Sequence, residues 1–98
     1  MSKRILLLIF ILAFPPVGIG QDDYQLARAL MEEGIVMPLG VIIAQARRDG
    51  MTGRVIDVKF HHHREHYLYH VQVLDETGLI HGVIFDATNG AVLDVHED

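Results

Sequence analysis

The sequence predicts an α+β domain in which two N-terminal helices pack on one face of a four-stranded antiparallel β-meander. Three observations predict it. Leu39, Ile42, Ile43 and Ala46 recur at the spacing of one helix face. Residues 54–61 and 67–73 instead alternate with a period of two, the pattern of half-buried strands. Turn residues at Glu76-Thr77-Gly78 and Thr88-Asn89-Gly90 then divide the second half of the chain into short strands.

The N-terminus reads as a secretory signal peptide. Lys3 and Arg4 precede an apolar run from Ile5 to Phe14, and Pro15-Pro16 and Gly18-Ile19-Gly20 follow it. The run ends after about half the roughly 20 residues a membrane span requires, so cleavage after about Gly20 is expected rather than stable membrane insertion. The expected product is a single domain of residues 21–98, periplasmic or secreted. Without Lys3 and Arg4, six basic residues stand against thirteen acidic ones, a net charge of −7 with histidine neutral. Such a surface repels nucleic acid and anionic lipid headgroups. There is no cysteine, so neither a disulfide nor a lipidated thiol contributes, and stability must come from one compact core.

The first helix is expected from Asp22 or Asp23, as N-cap, with Tyr24, Ala27, Leu30 and Met31 on its apolar face. Gly34 is placed to end it, and Pro38 to open the second helix. Arg47 and Arg48 fall in the last turn of that helix, where cations meet the negative end of its dipole, and Gly50 stops it.

In the first strand, residues 54–61, Ile56, Val58 and Phe60 are expected to face the helices. Pairing Phe60 with Tyr67, Val58 with Tyr69 and Ile56 with Val71 matches the large side chains, and it sets His61 against His66. His70 is expected to pair with Asp57. A three-residue loop with Gly78 in the left-handed region makes Val73–His81, Val71–Val83 and Tyr69–Phe85 the next pairs. Asp86 is placed to cap a turn closed by Gly90, with a last strand over residues 91–95 and a polar tail from His96.

Two amphipathic helices joined at a glycine and a proline, a V-x-V strand (Val71, Val73), a D-x-x-G turn (Asp75, Gly78) and a D-A-x-x-G-x-V-L segment (Asp86, Ala87, Gly90, Val92, Leu93) together resemble the PepSY domain family. The resemblance spans residues 21–98. It departs from the family pattern at Asn89, often threonine there, and at Gly40, where an acidic residue is common. It implies an extracytoplasmic, peptidase-propeptide-like module that binds or inhibits a peptidase, or regulates a sensor protein.

The residues do not suggest an enzyme. With Ser2 in the leader, the hydroxyl nucleophiles left are Thr52, Thr77 and Thr88, all at expected turns, and none neighbours a base with an orienting carboxylate. Two binding surfaces are expected instead. The sheet face away from the helices carries Leu68, His70, Ile80 and Ile84, an apolar strip suited to a protein partner. In an alternative reading the chain is a histidine-rich metal-binding protein, with His61, His62, His63 and His66 gathered at a hairpin tip to hold zinc, copper or nickel weakly.

Overall fold

A computed structural model describes residues 21–98 of the chain; the expected signal peptide, residues 1–20, lies outside the described residues. The elements run α1 (Gln21–Glu32), α2 (Leu39–Arg48), β1 (Arg54–His63), β2 (His66–Leu74), β3 (Ile80–Asp86) and β4 (Val92–Glu97). The strands form one antiparallel sheet in the order β1-β2-β3-β4. Two helices and a four-stranded antiparallel sheet are thus present, as expected. Among the described residues no helix is long and apolar enough to cross a membrane.

Both helices end as their sequences dictate. Beyond α1, the Ile35 amide donates to the Leu30 carbonyl at 2.9 Å and the Gly34 amide to Met31 at 3.0 Å. Beyond α2, Met51 and Gly50 repeat the pattern onto Ala46 and Arg47. This paired return of the chain satisfies the last carbonyls and needs a positive φ, which Gly34 and Gly50 supply. At the start of α1, Asp22 and Asp23 lie within the helix rather than ahead of it, because helical backbone already includes Gln21.

Ala27 and Leu30 of α1 and Ile42 and Ala46 of α2 belong to the same buried cluster as Val58, Phe60, Tyr69, Val71, Val73, Val83 and Phe85. Every second residue of the central strands therefore enters the core. Phe60 anchors one end of it, stacked on Tyr67 with centroids 6.0 Å apart and tilted against Tyr69 at 5.3 Å. The segment between the helices is tied to the sheet by backbone: the Met37 amide donates to Ala87 at 2.7 Å, and the Ala87 amide to Tyr67 at 2.8 Å. The Tyr69 hydroxyl donates to the Met37 carbonyl at 3.2 Å, while burial pushes the phenol pKa up.

The β2–β3 register is the expected one, with Val73 opposite His81, Val71 opposite Val83 and Tyr69 opposite Phe85. The β1–β2 register is not. Phe60 pairs with Tyr69, Val58 with Val71 and His63 with His66, two residues away from the expected pairing, because only Arg64 and Glu65 make the turn. Arg64 bends it by adopting φ 58°. A two-residue shift preserves the faces, so Val58 and Phe60 remain inward. Ile56 falls at a bulge between Val55 and Asp57, so Val55 takes the inward place opposite Val73, and Asp57 meets Gln72 rather than His70. A second bulge offsets β4: Ile84 pairs with Asp94 and Phe85 with Val92. β4 therefore continues through His96 and Glu97, which are strand and not tail.

Candidate functional site

Two aspartate turns frame β3. Asp75 accepts hydrogen bonds through Oδ1 from the Thr77 amide, the Thr77 hydroxyl and the Leu79 amide, at 2.8, 2.6 and 3.0 Å. Its Oδ2 accepts from His81 Nε2 at 2.6 Å, so His81 is committed to the turn. The Thr77 hydroxyl, then His81, then the Leu79 amide hold the Asp75 carboxyl well below the usual range. Asp86 repeats the device, accepting the Thr88 amide at 2.9 Å and the Thr88 hydroxyl at 2.6 Å. The Thr88 hydroxyl is the main reason that its pKa is also lowered. Gly78 and Gly90 close these turns with φ of 91° and 80°.

The hairpin-tip histidines are exposed and spread over both sides of the ribbon. His61, His63 and His66 share the side away from the core, whereas His62 stacks on Tyr67 with ring centroids 4.4 Å apart on the other. His61 faces Leu68, not His66. Among the described residues, these four do not bring three ligand atoms within 4.8 Å of one another; His70, His96 and Asp98 do. The residue pattern alone places His96 in a tail and His70 opposite Asp57, whereas His96 lies in β4 opposite Gly82 and His70 opposite Lys59.

Around that triplet, the His96 ring is held on both sides, with Nδ1 2.7 Å from Asp94 Oδ2 and Nε2 3.0 Å from Asp98 Oδ1. Asp94 first, with Asp98 adding to it, raises the His96 pKa against partial desolvation. Gln72 Nε2 donates to Asp98 Oδ2 at 2.9 Å and is the first cause of the lowered Asp98 pKa. His70 Nε2 is buried and has no hydrogen-bond partner.

Leu68, His70, Ile80 and Ile84 do share the sheet face away from the core, but each is half-buried. The more exposed large apolar side chains of the sheet are on β4: Val92, Leu93 and Val95 are 53, 55 and 61% exposed. Val92 and Val95 border an open cleft of about 270 Å³ on the core side, with Ala46 and Met51 on one wall, Val83 and Phe85 at the floor, and the two valines on the other wall. Gln45 and Asp49 supply its polar rim. This cleft was missed from the sequence, although the V-L-x-V run of Val92 to Val95 is its signal: the Leu93 bulge lets both valines point to one side. Beyond it β4 has no neighbouring strand among the described residues, so its outer backbone groups are open to pairing.

Compared with protein-family models, with curated proteins and with solved structures, the chain matches none.

Proposed function

We propose that this chain is a non-catalytic, extracytoplasmic binding module of the PepSY type, and that it regulates a peptidase or, in the same manner, a sensor protein by holding an extended segment of it. In this reading α1 and α2 pack on one face of the sheet, and β4, exposed along most of its length, is left for the partner. The observation that carries the reading is the pairing of an apolar cleft with an edge strand. Val92, Val95 and Met51 offer apolar contacts, and the free edge of β4 offers main-chain donors and acceptors; together these are what an extended polypeptide needs. In this reading the Thr77 and Thr88 hydroxyls serve their turns, each donating to the aspartate carboxylate two residues before it. The leader-like N-terminus supports export, and the acidic charge disfavours nucleic acid as the partner.

The test is site-specific photo-cross-linking in the extracytoplasmic fraction, with the reactive group placed in turn at Val95, Met51 and Leu68. The expected result is one protein product, formed from Val95 and Met51 but not from Leu68, and suppressed by Val92→Lys in a folded chain. Products from Leu68 alone would move the partner to the opposite face of the sheet and overturn the assignment.

A further inference from the structure

We propose that His70, His96 and Asp98 form a site for one divalent transition-metal ion of the zinc and copper class, on the sheet face opposite the cleft. The three side chains come from strands that are not neighbours: His70 from β2, His96 from β4, and Asp98 from the residue just after β4. β3 lies between, and the residue beneath the two rings is Gly82, paired with Gln72 on one side and His96 on the other. A Cβ at Gly82 would stand 2.5 Å from His96 Nε2 and 2.9 Å from His70 Nε2. The missing side chain is what lets the imidazoles meet above the backbone.

Three further features fit a ligand set rather than a chance cluster. His70 Nε2 is withdrawn from solvent without a partner, a state that destabilises a protein unless something binds the atom. Asp94 receives the Nδ1 proton of His96 at 2.7 Å, which presents Nε2 to the shared space. Gln72 holds one oxygen of Asp98 and leaves the other toward His96. A carboxylate behind a histidine and an amide behind a carboxylate are the supports that orient metal ligands. The donor atoms lie within 4.8 Å of one another; around a bound zinc they stand roughly 3–3.5 Å apart, so modest side-chain rotation closes the set. Two imidazoles and one carboxylate favour zinc or copper over magnesium or calcium, which take all-oxygen shells. With three protein ligands, one coordination position stays open.

The experiment is calorimetric titration of Zn²⁺, Cu²⁺ and Mg²⁺ into the untagged chain recovered from the extracytoplasmic fraction, with circular dichroism confirming the fold of each variant. The expected result is one Zn²⁺ or Cu²⁺ per chain and no Mg²⁺. His70→Gln and Asp98→Asn should each weaken binding by at least about tenfold. Gly82→Ala should weaken it comparably while leaving every ligand in place, and substitution of His61, His62, His63 and His66 by asparagine should leave it intact. Absence of stoichiometric uptake overturns the proposal. So does uptake that survives His70→Gln and Gly82→Ala but is lost with the four tip histidines. Because the cleft lies on the other face, neither result bears on partner binding there.

Discussion

Replacing Gly53 with alanine is expected to destabilise the domain by roughly 2–5 kcal/mol, a figure with two separable parts. Gly53 has φ 98°, a backbone state that costs an L-residue about 1–2 kcal/mol. In addition, its new Cβ would sit 2.6 Å from Val73 Cγ1 and 2.8 Å from the Leu74 carbonyl oxygen. That oxygen belongs to the strand beside Arg54, where β1 and β2 begin to pair, so relief requires moving backbone, and overpacking of this kind costs about 1–3 kcal/mol. Gly78→Ala is the internal control. Its φ is 91° but nothing lies within 4 Å of a built Cβ, so only the first part, about 1–2 kcal/mol, applies. Urea unfolding of the two variants, followed by far-UV circular dichroism, measures both losses against a total stability of about 4–12 kcal/mol for a domain this size. Equal losses would refute the contact between Gly53 and β2, and with it the placement of the β1 entry.

Two other perturbations follow from local geometry. The folded-state pKa of Asp75 and of Asp86 is lowered, so the stability they contribute is complete above the unfolded value of about 3.9 and is lost as pH falls through the folded value. The melting temperature should therefore drop below about pH 4, and Asp75→Asn should flatten that drop; an unchanged acid profile in this variant would show that the turn network is not formed. Arg64 holds φ 58° at the β1–β2 turn, and Arg64→Gly should raise stability by up to about 1 kcal/mol in the same urea assay, as left-handed strain is relieved and partly offset by chain entropy. A destabilised variant would contradict the two-residue turn.

The sequence was most legible where local chemistry decides the outcome. Asp75 and Gly78 determine a three-residue loop, and that loop fixed the β2–β3 pairing. The β1–β2 register escaped because its turn residue is Arg64, a positive-φ position that neither glycine nor asparagine announces. Faces survived the error since the offset was even. Bulges were illegible for a different reason: Val55-Ile56 and Val92-Leu93 are adjacent aliphatics, and nothing in such a pair says which one leaves the ladder. Both candidate sites inherit that difficulty. The cleft needs the Leu93 bulge to turn Val92 and Val95 the same way, and the His70, His96 and Asp98 grouping depends on pairing across β3 over a glycine. Residue spacing along the chain directed attention to the tip histidines instead, where four near neighbours in sequence lie on two sides of a ribbon.

Regulation at the cleft is tested most directly by whether the chain alters extracytoplasmic proteolysis through β4. The measurement is peptidase activity in the extracytoplasmic fraction with increasing amounts of the purified chain, compared with Val95→Lys and with Leu68→Lys. A dose-dependent change in activity is expected with the unsubstituted chain and with Leu68→Lys, and none with folded Val95→Lys. Equal effect from Val95→Lys, or no effect from any form, would contradict regulation of a peptidase at the cleft.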